Sequence, residues 1–221
     1  MSEHSFNPLD PFPLKSMSYQ EAQKHSELVD SWLNLKTLEV ETELAREKSG
    51  PKNRDQEWWI GLPTHALLTP YTELRKMLFL LHPTSGSRVV DLGAGYGRMG
   101  FVLSRHYPDV SFVGYEIVEE RVKESRRCLE LHGCQNAKML CEDLSASHFQ
   151  LTRADFYFIY DYGSRVAISK TLNDLRIIAR SRPIAVIGRG RLSRDLIEQE
   201  NPWLSQINAP EHHGNFSIYR S

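Results

Sequence analysis

A strand-like run ending in an acid, a glycine-rich turn and a helix-like start follow one another directly at Val89-Val90-Asp91-Leu92-Gly93-Ala94-Gly95-Tyr96-Gly97-Arg98-Met99-Gly100. Glycines at such a turn remove the side chains that would hold a ligand away from backbone amides. Glu116 ends the next strand-like run, where a carboxylate can accept the ribose hydroxyls of an adenosine-bearing cofactor. Two registers are open. Gly95-x-Gly97-x-x-Gly100, with Glu116 about 20 residues on, satisfies the nicotinamide and flavin pattern. Gly93-x-Gly95-x-Gly97, directly after Asp91-Leu92, leaves neither Asp91 nor Gly93 without a role. A second group, Tyr160-Asp161-Tyr162-Gly163-Ser164, ends a later strand at the sheet edge where ligands of open α/β folds bind. Asp161 with Tyr160 or Tyr162 can orient an amine and relay its proton, and the rings can face a cationic centre.

These residues need a parallel sheet to hold them. From Ser85 onward, short β-branched runs alternate with helix-length stretches, as expected of such a sheet covered by helices. Strands are predicted at 88–92, 111–115, 137–141, 154–160, 184–187, 204–208 and 216–220, the last two pairing antiparallel because the link is too short for a crossover. Helices are predicted at about 97–106, 118–132, 165–179 and 193–200. Upstream, Ser18 to Lys48 contains no Gly or Pro and reads as one long helix with Val29, Trp32, Leu33, Val40 and Leu44 on one face and Glu39, Glu41, Glu43 and Glu47 in water. A second helix spans about 70–81. The expected fold is α/β, a Rossmann-like, seven-stranded, mostly parallel sheet with an antiparallel C-terminal strand and helices on both faces. Residues 1–67 form an N-terminal helical extension and linker, and 68–221 the main domain.

Asp91-Leu92-Gly93-Ala94-Gly95-Tyr96-Gly97 closely resembles the cofactor loop of the class I, seven-stranded S-adenosylmethionine (SAM)-dependent methyltransferases, a resemblance covering about residues 68–221. It implies that the Gly93–Gly97 loop, with Ala94 and Tyr96, runs under the methionine part of SAM and that Asp91 orders the loop and approaches the amino group. It further implies that Glu116, beside Ile117, holds the ribose, and that Asp143 and Leu144 meet the adenine. Leu68-Thr69-Pro70-Tyr71 is similar in position to a segment that closes over the methionine end of SAM in seven-stranded protein lysine methyltransferases, which makes Thr69 and Tyr71 candidate contacts. The N-P-P-Y-like element of amide- and base-directed enzymes is missing after the fourth strand, which weighs against glutamine, adenine and cytosine acceptors. The implied activity is in-line methyl transfer to a nucleophilic, nitrogen-type acceptor, with S-adenosylhomocysteine as product. A protein lysine or a small molecule is favoured, and RNA stays open. The alternatives are a nicotinamide or flavin oxidoreductase using the Gly95-Gly97-Gly100 register and a non-catalytic binding module on the same fold.

Composition agrees with an ordinary globular chain: 221 residues, 40% hydrophobic, 25% charged, net charge −1, which excludes collagen-like and disordered classes. No apolar run approaches the ~18 residues of a membrane span, and the first residues lack a signal-peptide layout. Cys128, Cys134 and Cys141 are odd in number and never C-x-x-C, which predicts reduced thiols and a cytoplasmic protein. His212-His213 lacks accompanying ligands at metal spacing, so no metal is expected. Six arginines between Arg176 and Arg194 form a basic stretch that would suit RNA if left unpaired, and Trp58-Trp59 read as linker packing.

Overall fold

The computed structural model describes residues 6–47, 60 and 62–221; Trp58 and Trp59 lie outside them. The chain enters through α1 (Tyr19–Leu33), whose N-terminus is closed by a capping box in which Ser18 and Glu21 satisfy each other's backbone N–H groups. The expected single long helix is two. Asn34 takes a left-handed conformation, φ 55°, and its N–H returns to Asp30 and Ser31, so α1 stops and the chain restarts as α2 (Thr37–Glu47). Asparagine tolerates this conformation, and the break lets Leu35 turn into the core. Neither Gly nor Pro marks the site, so helical periodicity runs through it unbroken.

A short helix α3 (Thr64–Leu67) and α4 (Tyr71–Leu81) lead to the sheet. There β1 (Arg88–Leu92), α5 (Arg98–His106), β2 (Ser111–Glu116), α6 (Glu119–Leu131), β3 (Ala137–Cys141), β4 (Phe156–Tyr160), α7 (Arg165–Ala179), β5 (Ala185–Arg189) and α8 (Arg191–Glu200) alternate, and β6 (Glu211–His213) and β7 (Phe216–Arg220) close the chain. The order is β3-β2-β1-β4-β5-β7-β6, parallel from β3 to β5 and antiparallel for β7 against both β5 and β6. The sixth strand is not at 204–208: Pro202 starts a 3-10 turn that drops Leu204 into the core, Ile207 is exposed, and the strand that pairs with β7 is 211–213, turned back at Gly214.

Strand side chains alternate between two cores. Val89, Phe112, Phe158 and Ile187 point to one face with α4, α5 and α6; Val90, Leu92, Tyr157, Ile159 and Val186 point to the other with α7 and α8. Phe12, Val29, Leu33 and Leu35 of the N-terminal extension belong to the first of these cores, so the extension shares its hydrophobic interior with the sheet. No helix among the described residues is long and apolar enough to cross a membrane.

Candidate cofactor and acceptor site

The loop between β1 and α5 lies at the carboxyl edge of the sheet, where β1 ends between β2 and β4. Gly93 and Ala94 donate their N–H groups to Tyr115 O, at 2.9 and 2.8 Å, and Gly97 N–H returns to Ala94 O. Gly93 has φ +85°, and a Cβ there would stand 2.3 Å from Tyr162 Cβ. Gly95 has φ +55°, and a Cβ there would meet Leu68 at 3.0 Å, the one neighbour within 4 Å among the described residues. Gly100 belongs instead to α5, where its missing side chain admits Phe112, Ala137 and Leu129. That packing role is also the one the third glycine of a dinucleotide motif has, so Gly100 does not by itself separate the two registers.

Two carboxylates flank this loop. Glu116, only 6% exposed, accepts Gly95 N–H on Oε2 at 3.0 Å and the N–H groups of Ile117 and Val118 on Oε1. A carboxylate oxygen accepts about two hydrogen bonds, so Oε1 is filled and Oε2 has room for one ribose hydroxyl. Asp91 has no such partners among the described residues. Its carboxylate borders a cavity of about 30 Å³ shared with Thr69, Phe158, Tyr160 and Arg189. Burial first, and then the Glu116 carboxylate, raise its pKa to about 7. A desolvated acid without a hydrogen-bond donor, beside glycine backbone, fits the ammonium of an amino-acid ligand. The cavity, at about 30 Å³, is smaller than a methionine chain.

A family model described as a methyltransferase domain matches residues 83–201, which is more than half of the chain. The chain belongs to this methyltransferase family. Its sheet, with β7 reversed between β5 and β6, is the class I, SAM-dependent form. An RNA methyltransferase from Salinibacter ruber, crystallised with S-adenosyl-L-homocysteine, is 21% identical with a TM-score of 0.50, over 69% of this chain and 91% of that one. Precorrin-6y C5,15-methyltransferase from Geobacter metallireducens GS-15 is 14% identical with a TM-score of 0.52, over 70% and 87%. At these identities the likeness is one of fold. No curated protein sequence matches the chain.

In this methyltransferase the other candidate residues divide. Ile117 is 46% exposed beside Glu116, while Leu144 is buried with Tyr115 in the second core. Asp143 is half-buried, its Oδ1 accepting the N–H and hydroxyl of Ser145. Thr69 borders the Asp91 cavity. Tyr71 does not reach it: fully buried, it donates its hydroxyl to Asp30 of α1 at 2.7 Å and lies under the Arg98 guanidinium. Tyr96 sits in the loop, but its side chain points away and donates to Glu41 of α2 at 2.8 Å.

The expected catalytic trio is also redistributed. Both Asp161 oxygens are committed, Oδ1 to the N–H and hydroxyl of Ser193 and Oδ2 to Leu192 N–H, so Asp161 caps α8. Gly190 makes this cap possible, since a Cβ there would meet Asp161 Oδ2 at 2.3 Å. Tyr162 packs its Cβ on Gly93 and bonds its hydroxyl to Thr171 and Ala167 O, and burial raises its pKa well above that of a free phenol. Only Tyr160 stays at the cleft, with its hydroxyl on Ala66 O and Arg189 over its ring at 4.1 Å. Asp161→Ala is expected to cost about 1–2 kcal/mol of stability by uncapping α8. With Asp161→Asn, an unchanged pH profile of methyl transfer, measured by product formation, is the expected result, and a lost titration would return Asp161 to proton transfer.

A larger cavity of about 580 Å³ opens beyond Tyr160, lined by Ala66, Arg189, Arg191, Arg194, Asp195, Glu198 and the Gly214–Asn215 turn. Its arginines belong to the basic stretch visible in the sequence, whereas Asp195 and Glu198 carry no sequence signal because they look like an ordinary solvated helix face. Two of its arginines are paired, Arg189 with Glu73 at 3.1 Å and Arg191 with Asp195 at 3.5 Å, and Arg182, at the opposite edge of the sheet before β5 begins, is paired with Asp155. His213 stacks on Phe216, and no group of metal-ligating side chains occurs among the described residues.

Proposed function

We propose that this methyltransferase moves the methyl group of SAM to a polar nitrogen acceptor, a small molecule or a single protein side chain, seated in the 580 Å³ cleft. The observation that carries this reading is the position of Tyr160, which borders both the Asp91 cavity and the open cleft and so stands where cofactor and acceptor would meet. SAM supplies the activated sulfonium methyl, and the protein supplies geometry. Asp91 would take the ammonium, the Gly93–Gly97 backbone the methionine chain, Glu116 one ribose hydroxyl, Ile117 and Asp143 the adenine side, and Thr69 the methionine end. Glu198 in the cleft wall offers an acceptor amine its counter-charge. With Asp161 and Tyr162 engaged elsewhere, rate acceleration would come chiefly from holding the acceptor at near-attack distance.

Neighbours of the same fold are named for RNA and for precorrin-6y, so fold does not select the acceptor. The pairing of Arg189 and Arg191 in the cleft favours a small acceptor over RNA, because a basic wall that binds phosphates needs unpaired charge. We take residues 68–221 as the methyltransferase domain and 1–67 as its helical extension. Three free cysteines suit a cytoplasmic setting.

Isothermal titration of the purified protein with S-adenosylhomocysteine (SAH), with NAD and NADP in parallel, tests the cofactor reading. Saturable binding of SAH alone is expected, and a response to NAD without one to SAH would overturn it. A methyl-acceptor screen with amines, peptides and RNA then tests the acceptor class.

A further inference from the structure

The N-terminal extension reaches the cofactor loop through one buried acid. Glu41 was expected in water, yet it is 6% exposed, because Thr37, Glu41 and Leu44 share the face of α2 that packs inward. A carboxylate taken out of water must be paired. Arg121 of α6 meets it as a two-pronged fork, Nε to Oε1 at 2.7 Å and Nη2 to Oε2 at 3.0 Å. The remaining nitrogen, Nη1, stands 3.7 Å from Glu116 Oε1. Tyr96, between Gly95 and Gly97, donates to the same Glu41 at 2.8 Å.

We propose that Glu41 and Arg121 are positioning residues for the cofactor loop, α2 thereby forming part of the SAM site. This rests on the SAM reading above. A guanidinium is planar, and with two prongs locked by Glu41 the third is fixed in direction. Its target is the carboxylate that holds Gly95 N–H and keeps one lone pair for a ribose hydroxyl. Asp91 pushes the other way, since two acids lie side by side at this end of the sheet. Arg121 offsets that repulsion and keeps Glu116 turned to the loop, while Tyr96 ties the loop itself to α2. Glu41 lies outside the matched stretch 83–201, so the device is added by the extension.

The test compares Glu41→Gln and Arg121→Lys with Glu124→Gln. Glu124 joins the same extension to the same helix through Lys36 N–H at 2.8 Å and Arg127, and it touches neither Glu116 nor the glycine loop. SAH affinity and thermal midpoint are measured for each, and affinity is measured again with the SAH analogue that lacks both ribose hydroxyls. Glu41→Gln is expected to weaken SAH about tenfold, the scale of one hydrogen bond to a charged group, and to leave the analogue's affinity nearly unchanged. Arg121→Lys keeps the charge but not the fork and should fall between, whereas Glu124→Gln should lower the midpoint and leave affinity within about twofold. Equal losses for SAH and the analogue, or equal losses in Glu41→Gln and Glu124→Gln, would show general loosening and overturn the proposal. If Glu41→Gln does not fold, Arg121→Lys carries the same comparison. Failure of the wild-type protein to bind SAH would instead overturn the cofactor reading.

Discussion

Asp91→Asn should bind SAH roughly 10- to 100-fold more weakly and yet unfold at a higher temperature than the wild type above pH 7. Both effects come from one carboxyl group. Its pKa is raised from 3.8 to about 7, first by burial and then by Glu116. Between these values the native state holds a proton that the unfolded state has released, so the wild type loses stability as pH rises through this range. Asparagine does not ionise, and its midpoint should escape that decline by an amount on the order of 1–3 kcal/mol, several degrees in a chain of this size. Binding runs in the opposite direction, because an ammonium requires the ionised acid. Wild-type affinity for SAH should therefore climb from pH 6 to pH 8, by up to about tenfold per unit below the pKa, and the climb should vanish in Asp91→Asn. Titrations at three pH values together with thermal unfolding decide it. A stability loss at pH 8 without a change in affinity would mean that Asp91 orders the loop and does not face a ligand.

The second large effect is expected at Gly93. Gly93→Ala places a side chain at φ +85°, at a cost of about 1–2 kcal/mol, and drives its Cβ to 2.3 Å from Tyr162 Cβ. That contact is with the root of a side chain and not its flexible end, and Tyr162 is pinned by its bonds to Thr171 and Ala167. Overpacking of this kind adds about 1–3 kcal/mol, for a fall in thermal midpoint of roughly 5–15 °C. Gly86→Ala is the control, with φ +82° and open space around the new Cβ, so it carries the strain alone. A midpoint for Gly93→Ala equal to that of Gly86→Ala would show that β4 and the loop yield to each other. SAH binding to Gly93→Ala should fall with the midpoint, since the β1 and β4 ends form the two walls of the same site.

Much of this site is legible in the chain itself. Asp91, the three glycines and Glu116 are adjacent in sequence or separated by one helix, and a parallel sheet brings the ends of β1 and β2 together whatever the loops do. The helix–strand alternation carries the same information, so the sheet from β1 to β5 follows from periodicity. Errors fall where periodicity is silent. Asn34 breaks α1 from α2 through a left-handed residue that leaves the apolar spacing intact, and Pro202 turns an apolar run into a 3-10 turn. Glu41 is buried although it is charged, and its phase, four residues after Thr37 and three before Leu44, sets it on that face. A charge there is tolerable only if a partner exists, and Arg121 lies 80 residues away.

What the sequence by itself determined is the cofactor end: a glycine turn after Asp91, an acid at the end of β2, and an α/β sheet to hold both. These are local patterns, readable because neighbours in sequence are neighbours in space. Only the tertiary structure decided which polar groups are free to act. Asp161, Tyr162 and Tyr71 look as available as Tyr160 in sequence, but each is consumed by a partner that the fold supplies: Ser193 of α8, Thr171 of α7 and Asp30 of α1. A buried hydrogen-bonding group must find a partner. Where that partner stands is a property of how the helices pack and not of the segment that carries the group.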